Sequence, residues 1–222
     1  MKLHRPVLRI ISLIGITTWL IACGGGGGGD SSLAPTPVLS TGLKIFVTEN
    51  GHAGNFFDDP LLTGSNAIEK ADTFCNIDSN KPNNSNYKAL LVDGIIRDAI
   101  SLTNWVLVPN TTYFRPYDDV EIGTTTSTAI FPVLFTQLTN SIAEQRPSSS
   151  NGFILTNITY TGISDTSDFS TNGLNTCDSW STATNAATSN WGRIYEKTAN
   201  AISTNGLIAC DFIAPLYCVE QP

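Results

Sequence analysis

Apolar and polar positions alternate in short blocks along most of the chain, and each block is closed by turn-forming residues. Ile45-Phe46-Val47-Thr48 reads as an opening strand ended by Glu49-Asn50-Gly51. After a loop containing Asp58-Asp59-Pro60, Ser65 or Asn66 is placed to cap a helix running to about Cys75. Ala67, Ile68, Ala71, Phe74 and Cys75 fall at helical spacing, which turns Cys75 inward with the apolar face. Tyr87 to Val92 is a predicted strand closed by Asp93-Gly94, and Ile95 to Leu102 a predicted second helix. Trp105 to Val108 and Tyr113-Phe114 are short extended pieces, and from Gly123 to Ser150 polar turns surround the apolar run Ile130 to Phe135. Phe153-Ile154-Leu155, Ile158-Thr159-Tyr160 and Leu216 to Val219 complete the strands. The predicted class is α+β, with few helices, most of them early.

The N-terminus breaks this pattern. Basic Lys2, Arg5 and Arg9 precede an apolar run from Ile10 to Ala22, the order of an export signal. The run is well short of the roughly 20 residues that a membrane-crossing helix needs. Its end, Leu20-Ile21-Ala22-Cys23, resembles the lipobox of bacterial lipoproteins. That resemblance implies cleavage before Cys23 and acylation of Cys23, so membrane lipid is an expected partner. Gly24 to Gly29, Asp30-Ser31-Ser32 and Ala34-Pro35-Thr36-Pro37 have little to bury and read as a tether. The expected organisation is a signal peptide over 1–22, an acylated tether over 23–42 and a domain over 43–222. Localisation follows as outer membrane or cell surface, with a periplasm-facing position as the alternative.

Charge narrows the partners. The formal net charge of −7 becomes −10 once Lys2, Arg5 and Arg9 are cut away. A domain this acidic lacks the basic footprint that nucleic acid requires and repels anionic polysaccharide in bulk. Besides Cys23 the chain has Cys75, Cys177, Cys210 and Cys218, an even set in an exported protein. Cys-x-x-Cys pairs of the kind that hold zinc are absent. Two disulfides are expected, and spacing alone leaves three connectivities open.

Seven stretches in one order carry a further resemblance: Ile45 to Thr48, the helix end Ala71-Asp72 to Cys75, Tyr87 to Gly94, Trp105-Val106-Leu107, Pro109 to Tyr113, Cys177-Asp178-Ser179-Trp180 and Leu216 to Gln221. Together they resemble a domain of unknown function found in spirochaete surface lipoproteins and related bacterial proteins. That family is similar in turn to endostatin and to the C-type-lectin-like fold, through an early helix ending in Cys, a Phe-Pro segment (Phe131-Pro132) and a Cys-x-x-Trp. The resemblance implies a C-type-lectin-like domain with nested disulfides, Cys75 with Cys218 and Cys177 with Cys210.

The same resemblance sets limits on chemistry. C-type lectins bind sugar through calcium held by Glu-Pro-Asn or Gln-Pro-Asp and Trp-Asn-Asp triplets, and none occurs here; Val108-Pro109-Asn110 lacks the acid. Endostatin's zinc histidines and arginine surface are also unmatched, because only His52 and Arg97, Arg115, Arg146 and Arg193 follow position 22. Loop acids remain as calcium candidates: Asp58 and Asp59, Asp118 and Asp119 with Glu121, and Asp165 with Asp168. Adjacent acids more commonly serve as solvated turns. Tyr160, Trp180, Trp191 and Tyr195 are candidates to stack on a sugar or peptide, with a core role the stronger expectation for Tyr160 and Trp180. No Gly-x-Ser-x-Gly elbow accompanies His52, and no carboxylate pair has a reason to share one cleft.

The expected function is therefore a non-enzymatic binding or adhesion module without a cofactor. It would take an extracellular protein or glycan through the polar loops between about Gly123 and Asn175. The alternatives are a structural, periplasm-facing envelope lipoprotein and, least favoured, an envelope hydrolase.

Overall fold

Every residue of the closing strand Tyr217–Glu220 is buried, because that strand has neighbours on both edges and a core on both faces. The computed structural model describes residues 41–143 and 157–222, which fall within one compact unit over Leu39–Pro222. The export signal, Cys23, the tether up to residue 40 and the predicted strand Phe153-Ile154-Leu155 lie outside the described residues.

The main sheet has five strands: β1 (Leu43–Val47), β2 (Tyr87–Ala89), β3 (Thr112–Phe114), β4 (Glu121–Thr124) and β8 (Tyr217–Glu220), in the order β2-β8-β1-β3-β4. The β1–β3 pair is parallel and the others are antiparallel. Alternating side chains divide between two cores. Ile45, Tyr217 and Val219 face a cluster with Tyr113, Ile122, Phe131 and Ile202, whereas Phe46, Tyr87, Ala89 and Cys218 face a cluster with α1. A sheet covered on both faces explains why β8 and the strands beside it read as nearly unbroken apolar runs.

Helix α1 (Ala67–Ile77) starts where its cap chemistry dictates. Asn66 Oδ1 accepts the Glu69 N–H at 2.9 Å, and Glu69 Oε2 accepts the Ser65 N–H at 2.7 Å. The Ser65 N–H bond, aided by the Asn66 and Ser65 side chains, holds the Glu69 carboxyl below its ordinary value. Ala67, Ile68, Ala71 and Cys75 form the buried face. Cys75 joins Cys218, tying the helix to the central strand, and Cys177 joins Cys210; each pair has its Cα atoms 5.6 Å apart. Both bridges are the ones that the family resemblance implies.

A smaller sheet, β5 (Thr159–Tyr160), β6 (Thr188–Gly192) and β7 (Leu207–Ala209), is antiparallel throughout. Beside it, Cys177–Trp180 makes one left-handed turn, with φ of 52°, 53°, 53° and 62°. Such backbone costs roughly 1–2 kcal/mol per residue for L-residues. It is held by burial of Cys177 and Trp180, by the Cys177–Cys210 bridge and by the Trp180 Nε1–H donating to Val92 O at 3.0 Å.

The α+β class holds, with few helices, two sheets and two disulfides. Two local expectations do not. Ile95 to Leu102 is a series of turns rather than a helix, because Asp93 Oδ1 takes the N–H groups of Ile95, Ile96 and Arg97 at 2.8–3.0 Å. The Arg97 carbonyl then folds back onto the N–H groups of Asp93 and Gly94. Trp105 to Val108 is irregular, held by Trp105 Nε1–H to Ala129 O (2.7 Å) and Val108 N–H to the Tyr113 hydroxyl (2.8 Å). Strands β4, β6 and β7 went unpredicted, since Thr188-Ser-Asn-Trp-Gly192 and Glu121-Ile-Gly-Thr124 carry weak strand patterns.

Candidate functional site

A cleft of about 410 Å³ opens where β1 leaves the main sheet. Its floor is apolar, formed by Ile45, Val47, Ile142 and Ile194, and Tyr117 and Tyr195 stand on its walls. Glu49, Asn80 and Lys81 supply polar groups at the rim.

Each wall is held by identifiable bonds. Asp78, buried at the end of α1, accepts the Glu49 and Asn80 N–H groups on Oδ1, both at 2.9 Å, and Asn80 Nδ2 donates to Val47 O at 3.0 Å. These fix the 79–82 loop against the end of β1. The Lys81 ammonium lies 5.9 Å from the centre of the Tyr87 ring. Burial, and secondarily the Glu220 carboxylate, push the Tyr87 phenol above its ordinary value, so it remains a neutral ring beneath that ammonium.

The opposite wall depends on Arg115. Its guanidinium grips Asp118 at 3.2 and 2.6 Å, reaches the carbonyls of Ser141 and Ala143, and lies 5.9 Å from the Tyr117 ring. The Ala143 N–H donates to Ile194 O at 3.0 Å, joining that wall to the segment carrying Tyr195. One arginine therefore positions Tyr117 relative to the 141–143 segment. Two tyrosines over an apolar floor, with an ammonium and a carboxylate at the rim, suit an amphipathic ligand with a flat face.

The family described as "Protein of unknown function (DUF1554)" matches residues 60–198, more than half of the sequence. The chain belongs to the DUF1554 family. No curated protein matches it.

In this DUF1554 protein, Tyr195 is the predicted aromatic that reaches the cleft. Tyr160 and Trp180 are fully buried and pack edge-to-face at 5.6 Å; the Tyr160 hydroxyl donates to Phe212 O at 2.7 Å. Both belong to the core and offer no face to a ligand. Trp191 is half-buried on β6, with the Arg193 guanidinium 5.6 Å from its ring.

The loop acids are engaged locally. Asp59 accepts from His52 Nε2 at 3.0 Å and from the Leu61 N–H at 2.7 Å, and Asp58 is exposed. Asp118 is held by Arg115, and Asp119 by the Lys44 ammonium. Glu121 accepts from Thr139 at 3.1 Å, and Asp165 and Asp168 each cap a turn two residues on. Among the described residues, no group of three or more His, Cys, Asp or Glu side chains is placed to hold a metal ion. None of those residues forms a helix long and apolar enough to cross a membrane.

Of the polar stretch from Gly123 to Asn175, the described residues lining the cleft are Ile142 and Ala143. Tyr117 and Lys81 carried no periodic signal that would have marked them. Only their co-location across elements far apart in sequence does so.

Proposed function

We propose that this chain is a membrane-anchored lipoprotein whose domain is a non-enzymatic binding module, taking an extracellular protein or glycan in the cleft between Tyr117 and Tyr195. The cleft carries the reading. Its aromatic walls, apolar floor and rim charges are what a recognition site uses, and Arg115 and Asp78 hold it pre-formed.

A C-type-lectin-like, endostatin-like fold, akin to the spirochaete surface lipoprotein domains, is part of this proposal. It is supported by the pairing of β1 with β8 and by the bridge from the early helix to the closing strand. Anchoring is supported by the basic stretch, the apolar run and Leu20-Ile21-Ala22-Cys23, followed by a tether long enough to hold the domain clear of a lipid surface. In this reading Cys23 is acylated and the domain faces outward from the outer membrane.

The purified protein is to be screened against extracellular-matrix proteins and a glycan panel, beside Tyr195→Ala and Tyr117→Ala. A ligand whose binding drops about tenfold in either variant is expected; silence across the panel defeats the binding reading. Lipid labelling and membrane retention should both be lost in Cys23→Ala. Protease treatment of intact cells should remove the domain, and its survival would favour the periplasm-facing alternative.

A further inference from the structure

A second cavity, about 280 Å³, lies between Phe57, the start of α1, the Asp93–Ile96 turn and the left-handed turn carrying Asp178 and Ser179. Asp93 is only 3% exposed. Its Oδ1 accepts three N–H groups, from Ile95, Ile96 and Arg97. Its Oδ2 accepts none from the described residues. That oxygen is not sealed in either, because the buried side-chain polar atom without a partner among the described residues is Asn190 Oδ1. Asp93 lines the cavity, so Oδ2 is its open acceptor.

Among the described residues, no cation answers this carboxylate. The neighbouring Arg97 guanidinium is turned to Asp72, and the Lys70 ammonium is held by the carbonyls of Phe57 and Asp59. A second acid, Asp178, stands on the same cavity and is exposed. The remaining wall is largely apolar, from Ala67, Ile96, Phe57 and Ile95, the last two 51% and 75% exposed. A carboxylate this buried and half unpaired is satisfied best by a charged donor. An apolar wall leading to it suits a cation on an aliphatic stem.

We propose that this cavity receives a lysine or arginine side chain presented by a partner protein. The cationic head meets Asp93 Oδ2 and Asp178, the stem lies along Ile96 and Ala67, and Phe57 and Ile95 meet the partner's surface around it. The two exposed apolar residues extend the contact beyond what one stem covers, which favours a protein-borne cation over a free amine. The net charge of −7 draws such a partner in. This inference is independent of the cleft at Tyr117 and Tyr195 and of its ligand.

The probes are the peptide acetyl-Gly-Lys-Gly-amide, the same peptide with norleucine in place of lysine, and n-butylamine, each titrated into the purified protein and followed by NMR. The lysine peptide should shift signals from residues 93–96 and 178–181 and bind at least about tenfold more tightly than the norleucine peptide. Asp93→Asn keeps Oδ1 for the turn and replaces Oδ2 with a donor, so it should weaken the lysine peptide about tenfold or more while retaining the folded spectrum. Asp178→Asn, at an exposed position whose left-handed backbone asparagine tolerates, should weaken it about threefold and decides the matter if Asp93→Asn does not fold. Equal binding of the norleucine peptide, or unchanged affinity in the folded variants, overturns the site. Butylamine binding as tightly as the lysine peptide overturns the assignment to a protein partner.

Discussion

The guanidinium of Arg97, fully buried, grips both carboxylate oxygens of Asp72 on α1, at 3.0 and 2.7 Å. Asp72 Oδ1 also accepts the Ala89 N–H at 2.8 Å, and Arg97 Nη1 and Nε donate to the carbonyls of Ala89 and Asn104. Helix, strand β2 and the 97–104 turns are thus joined at one point. Removing a single partner strands a buried charge, which costs about 3–5 kcal/mol. Asp72→Ala should lower the unfolding free energy measured in urea by that amount, and Arg97→Met should cost less, because Asp72 is partly exposed and its carboxylate can find water.

Gly162 sits at φ +71°, and a Cβ there would meet Val92 O at 2.6 Å and the Trp180 ring at 3.0 Å. Val92 O is the acceptor for Trp180 Nε1. Gly162→Ala therefore adds left-handed strain and pushes apart the contact that holds the left-handed turn. A loss of about 3 kcal/mol or more is expected by denaturant unfolding, together with a changed tryptophan emission.

Much of the main sheet and α1 was legible because their signals are local. Asn66 and Glu69 cap, four apolar residues share one face, and β1 and β8 are apolar enough to fit a doubly covered sheet. Arg97 shows where legibility stops. It lies within a run whose periodicity suggests a helix, and only Asp93 taking three successive N–H groups explains why none forms. The left-handed turn at 177–180 has no sequence signal beyond Asp178, a residue type that tolerates such backbone. Of the cleft, Tyr195 was a candidate, whereas Tyr117, Lys81 and Asn80 come together only through the bonds of Arg115 and Asp78. The disulfide pairing came from family resemblance, since spacing left it open.

Acid should weaken the protein partly through Asp59. Burial works to raise its pKa, but the Leu61 N–H and the bond and charge of His52 outweigh it, so the folded pKa lies below the ordinary 3.8. A carboxylate depressed on folding contributes stability that is full above its unfolded pKa and is lost as pH falls through the folded one. Asp59→Asn should cost up to about 1 kcal/mol at pH 7, where the site is partly solvent-screened, and progressively less as pH falls below the ordinary 3.8 and through the lowered folded pKa. Unfolding midpoints of the two proteins across that window measure the convergence. A constant gap would assign the loss to the turn alone.

The two disulfides should differ in weight. Cys75–Cys218 closes a separation of 143 residues and Cys177–Cys210 one of 33. Loop-closure entropy alone then gives about 5 kcal/mol for the first and about 4 kcal/mol for the second, from restriction of the unfolded chain. Their structural consequences diverge more than these values. Loss of the first frees α1 from a strand that keeps its ladder on both edges, so Cys75→Ala with Cys218→Ala should retain folded spectra at low temperature. Loss of the second releases a left-handed turn that is unfavourable by itself, and Cys177 sits against Gly54 with no room to move inward. The Cys177→Ala, Cys210→Ala protein should therefore show faster amide exchange at residues 176–182 before global unfolding. Uniform exchange across the domain would mean that the turn holds without its bridge.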